Sequence, residues 1–190
     1  MAKGNFHFTN LRPGLVINTS SNSWMGKLIQ MVLARNWDNR RECPTHDAIV
    51  VEYDGKLWIG ESVSPVAKLT PIAKYERLVR SGFIYRIRVL EVVGATTNQE
   101  QEAARWWLDH VRNSPYDWMA FPRLLWKAVV GDWIKSAAGR EWARWCTEGV
   151  AEAWRIGGKL DPWQKRNPTP LTTWARWQQG KLRLIEMEII

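Results

Sequence analysis

Residues 46–62 read HDAIVVEYDGKLWIGES. Two runs rich in β-branched and aromatic residues flank Asp54-Gly55. An Asp-Gly pair in that setting is a strong signal for a two-residue hairpin turn, because both turn positions take a positive φ. With Asp54 and Gly55 as the loop, Tyr53 faces Lys56, Ala48 faces Glu61 and His46 faces Val63. Side chains alternate between faces along a strand, so His46, Ala48, Val50 and Glu52 share a face with Leu57, Ile59, Glu61 and Val63. His46 and Glu61 become diagonal neighbours, roughly 7 Å apart at the backbone and within side-chain reach. A carboxylate so placed holds an imidazole in one tautomer and stabilises its charged form. A register slip of one residue removes the pairing and leaves His46 at a strand end in solvent.

The rest of the chain reads outward from this hairpin. Arg12-Pro13-Gly14 is a turn signal before a short strand over 14–18. Residues 23–36, SWMGKLIQMVLARN, place apolar residues at helical spacing behind a Ser23 cap. Residues 36–45, NWDNRRECPT, form a polar loop. After the hairpin, residues 65–80 hold two prolines and then the short helical pattern KYERLVR. FIYRIRVLEVV (83–93) alternates and is rich in β-formers, which predicts a strand. Thr97 and Glu100 form a capping box that opens the helix NQEQEAARWWLDHVRN, and Ser114-Pro115 stops it. Residues 117–135 read as helical. A further helix covers 145–156 and ends at Gly157-Gly158. DPWQKRNPTP is a loop, LTTWARWQQ a short helix and KLRLIEMEII a last strand. Strands, then helices, then a strand is the order of an α+β domain. A length of 190 residues is enough for one domain, 1–190, and short for two.

Composition narrows the function classes. Hydrophobic residues make up 45% of the chain, which supports a packed core and argues against disorder. No apolar run approaches the ~18 residues that span a bilayer, and the start, MAKGNFHFTN, lacks the apolar core of a secretory signal. The expectation is a cytoplasmic protein, unless another route releases it to the cell envelope. The net charge of +8 is spread over both halves of the chain. It suits nucleic acid, an anionic membrane surface or an anionic cell-wall polymer, and does not choose among them. Fourteen tryptophans run from Trp24 to Trp177. Most must serve the core, since indole rings bury large areas. They are not regularly interleaved with Lys or Arg on one strand face, which argues against a nucleic-acid platform.

Cys43 and Cys146 are the only cysteines, so there is no disulfide framework, and a reduced compartment is the simpler reading. Cys146 opens the helical run in RWCTEGVAEAW (144–154). Three uses stay open for it. It can be a small buried hydrophobe. It can be a zinc ligand with Cys43, His46 and His110, although the paired Cys-x2-Cys knuckles of structural zinc sites are missing. Or it can be a nucleophile. A sulfur in the first turn of a helix feels the positive end of the dipole, and a neighbouring imidazole turns a thiol there into a thiolate–imidazolium pair ready for acyl attack.

Three short patterns in order, the His46-led hairpin ending in Glu61, Ser114-Pro115-Tyr116-Asp117, and Cys146-Thr147-Glu148-Gly149-Val150, resemble the circularly permuted NlpC-type, papain-like cysteine hydrolases of the YiiX and YaeF kind. In that family the histidine strand precedes the cysteine helix. Arg12-Pro13-Gly14-Leu15-Val16-Ile17 is similar to the family's opening Pro-Gly-Asp strand, without the Asp. The resemblance runs from about residue 11 to 190. It implies a central antiparallel sheet packed by helices, with the nucleophile at a helix N-terminus. It implies Cys146 as nucleophile, His46 as general base, Glu61 as orienting acid, and Tyr116 beside the substrate cleft. It implies no cofactor and no metal. Substrates would be a cell-wall peptide or related amide, or, as in some permuted relatives, a lipid acyl group. Trp24, Trp37, Trp118 and Trp145 lie near these segments, and Trp145 is a candidate substrate contact. The sequence departs from the family at Gly149, where a bulky residue is usual and where Gly costs a helix ~1 kcal/mol relative to Ala. Cys43 has no family counterpart.

Overall fold

The computed structural model describes residues 6–33, 43–117, 146–164 and 168–189. Six strands, β1 (Val16–Ser21), β2 (His46–Tyr53), β3 (Lys56–Glu61), β4 (Lys68–Pro71), β5 (Ile84–Val92) and β6 (Leu182–Ile189), form one antiparallel sheet in the order β4-β3-β2-β1-β5-β6. Among the described residues five α-helices accompany it: α1 (Trp24–Leu33), α2 (Ile72–Arg80), α3 (Thr97–His110), α4 (Cys146–Glu152) and α5 (Pro170–Gln178). A wider π-helical turn, Ala153–Gly157, continues α4.

The hairpin has the register expected from Asp54-Gly55: Tyr53 opposes Lys56, Val50 opposes Ile59 and Ile49 opposes Gly60. Both turn residues take positive φ, 54° at Asp54 and 68° at Gly55. The alternation of β2 then divides the core. Ile49 and Val51 pack with Val16, Leu90, Trp107, Val150 and Trp154, under the helices α3 and α4. Ala48 and Val50 pack on the other face with Ile17, Ile59, Ile87, Tyr75 and Val79, the last two from α2. The two apolar clusters explain the unbroken apolar stretch Ala48–Val51 of β2: it is buried on both faces, which removes the polar half of the alternation.

Several boundaries differ from the sequence reading. β1 begins at Val16, since Gly14 sits at φ 89° in the preceding turn. A short strand, β4, follows Pro65 and ends on Pro71, directly before α2. The capping box of α3 is made by Thr96 and Gln99, one residue earlier than expected. The reason is that Glu100 is already engaged: its two carboxylate oxygens each accept a 2.8 Å hydrogen bond from Arg12. Pro170 opens α5 as its first residue behind the cap Thr169, a position where a missing N–H costs nothing. The helix expected over 117–135 lies outside the described residues, apart from Asp117. No helix among the described residues is long and apolar enough to cross a membrane.

Candidate active site

His46 is the first residue of β2 and pairs with Thr19 of β1. Thr45, just before it, is held by its backbone N–H to the Thr19 carbonyl at 2.7 Å. The strand end that carries the imidazole is thus fixed by the centre of the sheet. Glu61 closes β3 on the same face, as the alternation requires, and its Oε2 stands 3.2 Å from His46 Nε2. The carboxylate has two further donors: Tyr75 Oη of α2 donates to Oε2 at 2.6 Å, and Thr70 Oγ1 of β4 donates to Oε1. Burial opposes the charge on Glu61, but the imidazole and the two hydroxyls outweigh it and hold the carboxyl down at about 2.

Cys146 is the first residue of α4 and is buried. Its thiol lies near enough to the His46 imidazole to raise that ring's pKa. Burial would strip the proton from His46, but Cys146 and Glu61 reverse this and push its pKa up to about 10. The imidazole thus has the Glu61 carboxylate on one nitrogen and the Cys146 thiol near it, and it favours its protonated form.

Tyr116 is placed by local strand-like pairing of the segment after α3 with the segment after β3. Val66 pairs with Pro115, Ala67 N donates to Ser114 O at 2.9 Å, and Tyr116 N donates to Pro65 O at 3.0 Å. Its phenol pKa is raised, first by burial and then by the electrostatic effect of Cys146, Asp117 and Glu148, so it stays a neutral phenol. Tyr116, His46 and Glu61 border a pocket of about 350 Å³. Trp24, Met25 and Ile29 of α1, Leu78 of α2, and Phe83 and Ile84 give it a mainly apolar wall. Trp24 is 68% exposed at this site, so it serves the rim rather than the core. Trp37, Trp118 and Trp145 lie outside the described residues.

The remaining candidates fall elsewhere. Cys43 is fully buried, and burial pushes its thiol up to about 12, against the pull of Arg88. Both cysteines are free thiols. His110 stacks on the Trp106 ring at the exposed end of α3, with Nδ1 3.0 Å from the Trp106 carbonyl. Among the described residues no group of three or more His, Cys, Asp or Glu side chains is placed to hold a metal ion. Gly149 has a packing reason: a Cβ there would meet Ser62 Oγ and Val111 Cγ1, each at 3.1 Å. The helix-former run is broken where α4 presses on Ser62, just after β3, and on Val111, which caps α3.

The sequence reading missed Asp47. It lies on the Ile49 face, fully buried, and accepts three hydrogen bonds of 2.7 Å, from Asn18 Nδ2, Thr147 Oγ1 and Thr173 Oγ1. The available signal was an acid at an inward position of an otherwise apolar strand. It also missed the hydroxyls of Thr70 and Tyr75 that hold Glu61.

No protein-family model and no curated protein matches the chain. A solved structure does: the metalloprotein yiiX from Escherichia coli O157:H7, DUF1105, superposes with a TM-score of 0.54 at 18% identity, over 94% of this chain and 88% of that one. The chain therefore has a mixed α+β fold similar to that of yiiX.

Proposed function

We propose that this chain is a cysteine-nucleophile hydrolase on a circularly permuted papain-like fold, with Cys146 as nucleophile, His46 as general base and acid, and Glu61 as the group that orients His46. The observation that carries the reading is the single imidazole that has the Glu61 carboxylate on one nitrogen and the Cys146 thiol near it. The thiolate of Cys146 attacks a carbonyl carbon, and the carbonyl π electrons move to oxygen, where the Cys146 backbone N–H and the Tyr116 hydroxyl are candidate donors. As the tetrahedral species collapses, the bond to the leaving nitrogen or oxygen breaks, and His46 delivers its proton to that atom. Water, deprotonated by His46, then cleaves the thioester and releases a carboxylic acid. Glu61 stays ionised throughout.

The substrate by this reading is a peptide of the cell wall or a related amide. A second reading, an ester or thioester of an acyl chain, is favoured by one observation: the pocket bordering His46 is mainly apolar, and no Lys or Arg is among its described lining residues. The test of the activity is a screen of amide and acyl-ester substrates with the wild type and Cys146→Ala. Turnover that disappears in the variant, with an unchanged melting temperature, supports the reading. Turnover that survives in Cys146→Ala overturns it. Preference for amide or for acyl ester decides between the two substrate classes.

A further inference from the structure

Asp47 follows His46 and Thr147 follows Cys146, and these two neighbours are themselves hydrogen bonded, Thr147 Oγ1 donating to Asp47 Oδ2 at 2.7 Å. The direction of every proton around Asp47 can be worked out. Arg88 Nη1 donates to Asn18 Oδ1 at 3.1 Å, and a guanidinium has no acceptor, so the amide of Asn18 must turn its NH2 toward Asp47. Trp163 Nε1 donates to Thr173 Oγ1 at 2.9 Å, and an indole N–H is donor only, so the Thr173 proton is left for Asp47. Three donors from β1, α4 and α5 converge on one side chain. An ionised carboxylate, an acceptor-only group, satisfies all three. Burial pushes the Asp47 carboxyl up, and the three donors oppose that.

We propose that Asp47 is a positioning residue: through Thr147 it fixes the cysteine-bearing turn of α4 against the histidine-bearing start of β2, and so sets the approach of Cys146 to His46. The Thr147 hydroxyl that bonds Asp47 also lies 3.9 Å from Cys146 Sγ, so one side chain touches both the carboxylate and the nucleophile. This inference rests on the cysteine-hydrolase reading but concerns a different side chain, on the opposite face of β2.

The test is the pH dependence of Cys146 alkylation by iodoacetamide, followed by peptide mass spectrometry so that Cys43 is scored separately, with melting temperature measured alongside. Thr147→Val removes the bond; Thr147→Ser keeps it; Thr173→Val strips one donor from the same carboxylate on a helix that does not carry the nucleophile. The expected result is a fall of about tenfold in the rate at pH 6 for Thr147→Val, equal to a shift of one pH unit in the profile. Thr147→Ser should restore the wild-type profile. Thr173→Val should lower the melting temperature and leave the profile in place. Thr147→Ala serves if the Val variant does not fold. A Thr147 variant without the hydroxyl that reacts like the wild type across the pH range overturns the proposal, and so does a Thr173→Val profile that shifts as far as that of Thr147→Val. A wild type that itself reacts no faster at pH 6 than a free thiol instead overturns the hydrolase reading beneath it.

Discussion

His46 Nε2 and Glu61 Oε2 stand 3.2 Å apart across the β2–β3 hairpin, on the face that the Asp54-Gly55 turn assigns to both. The pair exists because a two-residue loop leaves no slack in the register. Glu61 is not free to drift, since Tyr75 and Thr70 hold its two oxygens from α2 and β4.

Glu61→Gln keeps the shape and removes the charge. The imidazole loses the partner that stabilises its protonated form and fixes its tautomer. Turnover should fall by roughly 10²–10⁴, the range that a positioned proton-transfer group supplies. Steady-state kinetics on the substrate found by the screen checks this; a loss below threefold contradicts the orienting role.

Tyr75→Phe acts one step further out. It removes the 2.6 Å bond to Glu61 Oε2 and leaves that oxygen with His46 alone. Stability should drop by about 1–3 kcal/mol, the cost of a buried acceptor losing a donor, and the effect on rate should be smaller than that of Glu61→Gln. Chemical denaturation and kinetics on the same variant separate the two effects.

Acid and alkali should weaken the fold through opposite partners. The Glu61 carboxyl lies at about 2 in the folded chain, against an ordinary 4.5, so its stabilisation is complete above 4.5 and is lost as pH falls through about 2. His46 lies at about 10, against an ordinary 6.5, so its stabilisation is complete below 6.5 and is lost as pH rises through about 10. In Cys146→Ala the imidazole loses one of the two side chains that raise its pKa, and its titration, followed by NMR of the ring protons, should move to lower pH. An unmoved titration contradicts the thiol–imidazole contact.

Gly149→Leu should destabilise by about 1–3 kcal/mol, the usual cost of overpacking. The gain in helix propensity does not compensate, because the new side chain grows into Ser62 Oγ and Val111 Cγ1. Thermal denaturation of the variant tests this.

Much of the site was legible because the hairpin obeys a strict rule. Alternation from Asp54-Gly55 put His46 and Glu61 on one face without any knowledge of the third dimension. Asp47 was not legible in the same way. The alternation puts it on the Ile49 face, but its three donors come from residues 18, 147 and 173, and no local pattern announces a contact between segments that far apart. The shift of the α3 cap has the same origin: Thr97 and Glu100 satisfy the local pattern, yet the distant Arg12 claims Glu100. Gly149 likewise reads as a flaw in a helix until the side chains of Ser62 and Val111 are set against it.

The central claim is that His46 activates Cys146, and the most direct measurement is the rate of Cys146 alkylation at pH 6 in the wild type and in His46→Ala. The account predicts that the wild-type thiol reacts faster than a free cysteine at that pH and that His46→Ala loses the advantage. Equal rates for the two proteins would contradict it.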